Sequence, residues 1–220
     1  MKERPILFSG EMIRALLDGR KTMTRRMGGK YLKGINVTPQ QWTGASYHKD
    51  GSFIFWGPLA VNDEFAQKAY PDGGGGKCPY GIPGDRLWVR ETWHCDNPMV
   101  AQDTMSRGEG LYYRATEKHP EIFPKWKPSI FMPKWASRLT LEIIDIKVER
   151  LQEITEEDAE AEGATPFRND PEGDCWTDGK YRTAFQYLWG EINGWEGEAH
   201  PRATWQSNLW VWVISFRRIK

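Results

Sequence analysis

Residues 18–26 read DGRKTMTRR: nine positions hold four cations, two threonines and one glycine. Lys21 and Thr24 place an amine near a hydroxyl, and Arg20, Arg25 and Arg26 crowd the same stretch with charge. Two kinds of chemistry suit such a segment. A basic patch grips phosphate, with an affinity that falls steeply with salt. A threonine hydroxyl attacks carbonyl carbon, but it is a weak nucleophile until a base takes its proton. Lysine serves as that base only when neutral, and burial or neighbouring cations favour the neutral form.

The elements that must position these groups are readable from period and punctuation. PILF at 5–8 is a short apolar run that predicts a strand, and Ser9 is a plausible N-cap for a helix over 10–17. Met12, Ile13, Leu16 and Leu17 form its core-facing stripe, and Asp18-Gly19 ends it with a glycine able to turn left-handed. Residues 21–26 then read as a strand, with Thr22, Thr24 and Arg26 on one face and Lys21, Met23 and Arg25 on the other. On that ideal strand Lys21 and Thr24 diverge. They face one cavity only if the segment turns or bulges between them, and the irregular start after Gly19 is expected to supply that turn.

Downstream, Pro83-Gly84-Asp85 is a tight turn leading into the strand-like RLWVRETW. In RLTLEIIDIKVERL, Leu139, Leu141 and Ile143 share a face before the phase switches to Ile144, Ile146 and Val148. That switch predicts a bulge or strong bend, as where a strand wraps a small barrel. Thr155 with Asp158 resembles a capping box for a short acidic helix that stops at Gly163. A helix over 181–192 has Phe185, Leu188, Trp189 and Ile192 as its stripe. The final strand, NLWVWVISFRR, is apolar on both faces, which predicts a central or covered position. Residues 27–82 and 94–130 read as loop-rich insertions, holding a hairpin-like HKDGSFIFWG, a flexible GGGG at 73–76 and a strand in GLYYRAT. The expectation is one α+β domain over 1–220: a small β-barrel with short flanking helices and two insertions.

Composition narrows the function classes. Thirty basic and thirty acidic residues cancel, so no whole-molecule steering toward nucleic acid is expected and any such binding must rest on a local patch. Twelve tryptophans and 39% hydrophobic residues are ample for a core. Three cysteines at wide spacing do not form a disulfide framework, which points to a reducing compartment. Cys78, His94, Cys95, Cys175 and His200 show no C-x-x-C or H-x3-H spacing, so no metal is expected. GGGGK lacks the remainder of a phosphate loop, and no cofactor is implied. With neither a signal-peptide pattern nor a membrane-length apolar run, a cytoplasmic location without membrane attachment is expected.

The order strand, helix, GRKTMTRR, PGDRLWVRE, bent strand, acidic helix resembles the ASCH domain family, whose fold is a PUA-like β-barrel. PGDRLWVRETW, MPKWASRLTLEI, VERLQEITEEDAEAEG and NLWVWVISFRR look especially like the larger ASCH proteins of bacteriophages and prophages. The resemblance covers 1–26, 83–93, 132–163 and 181–219, over half of the chain. It implies one of two activities, RNA binding or, as in a small bacterial branch, hydrolysis of N4-acetylcytidine to cytidine and acetate. Matched residue by residue, that branch's working Lys, Thr and Glu fall on Lys21, Thr24 and Glu162. The chain is about twice the length of that branch, and its insertions can reshape the pocket. A phage origin would place the protein in the host cytoplasm.

Each candidate also has a plainer role. Thr24 fits a pocket or a strand scaffold equally, and Glu162 belongs to a run of acids that ordinarily forms a solvated helix face. Glu91 is an alternative pocket carboxylate, with Arg90 as its salt-bridge partner. Trp135 offers a stacking face for a base, with Lys134 and Arg138 for phosphates, or else packs under the barrel. Arg20, Arg25 and Arg26 hold phosphate or ribose in the enzyme reading. In the alternative they form the rim of a groove for RNA or single-stranded DNA, without catalysis. A third reading, ribonuclease, uses the same lysine and hydroxyl beside a phosphate. The oligomeric state is not readable.

Overall fold

A computed structural model describes residues 1–27, 44–47, 52–56, 76–96, 110–123, 125–166, 179–193 and 204–220. Its centre is a mixed five-stranded sheet built from β1 (Glu3–Leu7), β2 (Met23–Arg26), β6 (Arg86–Arg90), β9 (Thr140–Arg150) and β10 (Trp210–Arg218) in the order β1-β6-β9-β10-β2. β1 runs parallel to β6, and the other three pairings are antiparallel. Two smaller sheets lie outside it: β3 (Gly44–Tyr47), β4 (Ser52–Trp56) and β5 (Gly76–Lys77) in one, β7 (Trp93–Cys95) and β8 (Leu111–Tyr113) in the other. They lie largely within the two expected insertions. Of the hairpin-like piece at 48–57, β4 is described, and it pairs antiparallel with β3, which lies just before that piece. Residues 73–75 of the GGGG run, Cys175 and His200 lie outside the described residues.

The sheet has two covered faces. Trp210, Trp212, Ile214 and Phe216 of β10 enter one core with Ile6, Leu87, Leu141 and Ile146, closed by α1 (Gly10–Leu17) through Met12, Ile13 and Leu16. Val211 and Val213 point the other way, beneath α2 (Glu156–Ala161) and α3 (Tyr181–Asn193), where Ala159, Ala184, Phe185 and Trp189 are buried. Two-sided burial is why β10 is an unbroken apolar run. Each buried aliphatic side chain contributes about 1.5–3 kcal/mol relative to exposure.

The predicted irregularity in β9 is present. Ser215 pairs with Asp145 and Phe216 with Ile143, so Ile144 is the extra residue of a bulge. Leu141 and Ile143 before it, and Ile146 and Val148 after it, then face the same core. Ile144 itself is 50% exposed, not a core residue as the phase reading assigned it. Ile192 likewise leaves the expected stripe of α3, being 45% exposed near the end of that helix.

No ladder joins β1 to β2 among the described residues, so the sheet is open. Its edges nonetheless meet at one end through a side chain: Arg26 Nη2 of β2 donates to the Leu7 carbonyl of β1 at 2.7 Å. Among the described residues, no helix is long and apolar enough to cross a membrane.

Candidate functional site

The site begins where α1 ends. Ser9 Oγ accepts from Met12 N at its start, and Gly19, at φ +75°, reverses the chain at its end. The Arg20 and Lys21 amides both return to the Ala15 carbonyl, at 2.9 and 3.0 Å. Thr22 N then donates to the Ala161 carbonyl of α2 at 2.8 Å. Strand β2 therefore starts at Met23, not at Lys21 as the alternation suggested. This curl frees Lys21 from the strand's alternation, and its ammonium lies 5.4 Å over the Phe8 ring.

Within β2 the alternation holds. Thr24 and Arg26 oppose Ile214 and Trp212 and so share the first core's face. The Arg26 guanidinium stacks 5.0 Å from the same Phe8 ring. Lys21 thus reaches the ring used by the face on which Thr24 lies. Arg25 points to the opposite face, where Nη2 donates to Asp158 Oδ2 at 2.6 Å and Glu149 Oε2 at 3.1 Å. It ties β2 to β9 and α2 and is a structural hub, not the exposed phosphate ligand the sequence allowed.

Glu162 is the C-cap residue of α2, whose N-cap is Thr155 as expected: Asp158 N donates to Thr155 Oγ1 at 3.1 Å. Far from lying on a solvated helix face, Glu162 is 2% exposed. Lys21 Nζ donates to its backbone carbonyl at 2.6 Å and to Oε2 at 2.9 Å. Gly163, at φ +82°, lets the chain turn away beside Lys21: a Cβ there would stand 3.2 Å from Lys21 Cβ.

Four polar atoms of this segment and its partner are buried without a hydrogen-bond partner among the described residues: Thr24 Oγ1, Arg25 Nε, Arg26 Nε and Glu162 Oε1. Arg25 Nη1 stands 3.6 Å from that Glu162 oxygen, beyond a hydrogen bond. A buried polar group with no partner costs about 1–3 kcal/mol, so four on two neighbouring elements ask for a ligand or water to complete them. A cavity of about 120 Å³ is walled by three of these residues, Arg25, Arg26 and Glu162, with Tyr80, Met27 and Trp189 among others. Lys21 and Thr24 are not on its wall. Both are buried, 2% and 1% exposed.

Burial pushes the Lys21 amine below its ordinary pKa. The Glu162 carboxylate pulls it back up, Arg26 and Arg25 push it further down, and the balance is a lowered value. The opposing effects that sequence left undecided therefore net to a lowering, which eases loss of the Lys21 proton. Tyr80 is pushed up by burial, against the pull of the Arg26 charge. Phe8, Tyr80 and Trp189 are the site residues that sequence reasoning missed. Phe8 and Trp189 carried only the signature of core residues, and Tyr80 sat in a segment read as insertion.

The other candidates lie elsewhere. Arg20 is exposed and engages Asp18 and Thr165. Glu91 is buried but pairs with Arg138, not Arg90: Arg138 Nε and Nη2 donate to its two oxygens at 2.8 and 2.9 Å. Arg90 continues the outward alternation of Arg86 and Trp88 along β6, stacks on Trp88 and donates to the Met132 carbonyl at 3.0 Å. Glu91 borders a separate cavity of about 460 Å³ with Ser9, Arg14 and Arg114. Lys134 pairs with Glu3, and Trp135 meets Trp93 edge-on at 5.9 Å. Those two border a third hollow, with Trp88 and Lys220, outside the Lys21 site.

Among the described residues no three His, Cys, Asp or Glu side chains gather as a metal site. The Cys78 thiol is pushed up to about 11 by burial and stays protonated at neutral pH. Fold and site together define an α+β protein with a closed Lys–Glu pair at the free edge of a curled sheet. No family model, curated protein or solved structure matches this chain.

Proposed function

We propose that the chain is an ASCH-type protein whose curled sheet serves as a PUA-like barrel, and that Lys21, Thr24 and Glu162 hydrolyse the N4-acyl amide of a modified cytidine. One observation carries this reading: a buried amine with a lowered pKa is held by a buried carboxylate, while that carboxylate's second oxygen and the Thr24 hydroxyl lack hydrogen-bond partners among the described residues. Thr24 and Lys21 are buried and not on the cavity wall, so the acyl carbon reaches Thr24 only when the cavity widens.

In the proposed cycle neutral Lys21 takes the Thr24 hydroxyl proton. The Thr24 oxygen bonds the acyl carbon as the carbonyl π pair moves onto its oxygen. When that pair returns, the C–N bond breaks and its electrons go to the exocyclic nitrogen, which takes the proton from the Lys21 ammonium. The leaving nitrogen is delocalised into the cytosine ring, which eases this step. Water, deprotonated by Lys21, then cleaves the Thr24 ester, and carboxylic acid leaves as the hydroxyl is restored. Glu162 holds Lys21 in place throughout. The sum is amide plus water giving amine plus acid, with no cofactor.

Chromatography of N4-acetylcytidine incubated with wild type, Lys21→Ala and Thr24→Ala tests the reading. Cytidine and acetate are expected from wild type alone. A folded wild type that leaves the substrate intact overturns it.

A second reading, binding of RNA or single-stranded DNA without catalysis, moves away from DGRKTMTRR, because Lys21 and Arg25 are buried there. It is favoured instead by the hollow that gathers Trp88, Trp135, Lys134 and Lys220, aromatic faces beside cations. A salt titration of RNA binding, comparing wild type with Trp135→Ala, distinguishes it.

A further inference from the structure

Arg26 is bound at one end and unsatisfied at the other. Its Nη2 donates to the Leu7 carbonyl at 2.7 Å, and its plane stacks on Phe8 at 5.0 Å. These two contacts hold the guanidinium in one orientation at the cavity wall. Its Nε–H is buried and has no acceptor among the described residues. Arg26 lies two residues from Thr24, on the same face of β2. Same-face neighbours on a strand stand roughly 7 Å apart, a spacing that admits one small group.

Three of the four unsatisfied atoms, those of Arg26, Glu162 and Thr24, form a pattern. Arg26 Nε offers a proton, Glu162 Oε1 offers lone pairs, and the Thr24 hydroxyl oxygen is likewise without a hydrogen-bond partner among the described residues. A secondary amide presents the complement: a carbonyl oxygen, an N–H and an electrophilic carbon joining them. We infer that Arg26 Nε–H receives the acyl oxygen of such a substrate and stabilises the negative charge that develops there, while Glu162 Oε1 accepts the amide N–H.

This rests on the amidohydrolase reading and adds a catalytic residue to it. Attack by the Thr24 oxygen sends the carbonyl π pair onto the acyl oxygen, and the Arg26 hydrogen bond strengthens as that charge forms. Collapse returns the pair to carbon, and the C–N bond breaks as described above. Because the guanidinium is already held by Leu7 and Phe8, it need not reorganise as the charge appears. The binding selectivity follows from the same three atoms. A substrate whose amide nitrogen is methylated has no proton for Glu162 Oε1, and it is expected to be a poor one.

The test compares Arg26→Lys with wild type on N4-acetylcytidine and adds the thioacetyl analogue, whose sulfur accepts hydrogen bonds weakly. Loss of one such donor typically lowers kcat by about 10²–10³-fold. Arg26→Lys is expected to show that loss in kcat with KM changed by less than about threefold. Wild type is expected to discriminate against the thio analogue about 10-fold or more beyond the alkaline, enzyme-free reaction. The thio comparison leaves the protein unaltered, so it stands even where Arg26→Lys does not fold. A folded Arg26→Lys with wild-type kcat, or a thio effect equal to that of the enzyme-free reaction, overturns the role of Arg26 while the hydrolase reading stands. A wild type inert toward N4-acetylcytidine overturns both.

Discussion

Lys21 Nζ and Glu162 Oε2 lie 2.9 Å apart across 141 residues of sequence. Their side chains are 0% and 1% exposed. Taking two charges out of water is costly, and their attraction repays this only where further hydrogen bonds complete them. Lys21 has one more, to the Glu162 carbonyl, while Glu162 Oε1 has none among the described residues.

Removing one partner of the pair is therefore expected to cost more than removing both. Lys21→Met leaves a buried carboxylate without its lysine and is expected to lose about 3–5 kcal/mol. Lys21→Met with Glu162→Leu is expected to recover most of that loss. Urea unfolding of the two single variants and the double reads the cycle. A double variant no more stable than Lys21→Met would show that the pair is not a self-contained unit.

Stability should also carry the signature of a lysine whose folded pKa lies below its ordinary 10.5. Between the folded and unfolded values the unfolded chain binds more protons, so this group's contribution to stability rises with pH through that window. It is least favourable below the folded pKa and reaches its full value near the unfolded one. Tyr80 and Tyr113, both raised by burial, titrate in the alkaline range with the opposite sign. The quantity to measure is thus the difference between wild type and Lys21→Met in unfolding free energy from neutral to alkaline pH. That difference should move in favour of wild type as pH rises. A flat difference would contradict the lowered value.

Gly163 supports Lys21 from behind. An added Cβ would lie 2.7 Å from Ala15 Cβ, at a backbone φ of +82°. Gly163→Ala is expected to cost about 2–4 kcal/mol, from left-handed strain together with overpacking. Ala15→Gly relieves the contact but not the strain, and on its own costs about 1 kcal/mol in a helix. Thermal unfolding of both singles and the double should reveal a favourable coupling between the two sites. Additive effects would mean that strain alone sets the loss.

The Glu91–Arg138 pair is a second test of burial. Glu91 is almost inaccessible, whereas Arg138 keeps a quarter of its side chain in water. The Arg138 guanidinium also packs 4.1 Å over the Tyr113 ring. Arg138→Ala strands the buried carboxylate and should lose about 3–5 kcal/mol. Glu91→Ala strands a partly solvated cation and should lose less, about 2–3 kcal/mol. Chemical denaturation gives the order, and the reverse order would mean that packing on Tyr113 outweighs the ion pair.

Local rules account for much of this molecule. The caps at Ser9 and Thr155, the α1 stripe, the left-handed glycines after α1 and α2, the bulge in β9 and the two-sided burial of β10 all follow from period and backbone sterics within a few residues. So did the chemical types at 18–26. What the tertiary structure decided was partnership. It brought Glu162 from a run of acids to Lys21, and turned Arg25 to Glu149 and Asp158. It gave Glu91 to Arg138 in place of its neighbour Arg90, and made Phe8 the ring shared by Lys21 and Arg26. Period and capping are set by neighbouring backbone, whereas the partner of a buried charge is set by which distant element closes over it. No spacing within DGRKTMTRR encodes the arrival of α2 at the free edge of β2.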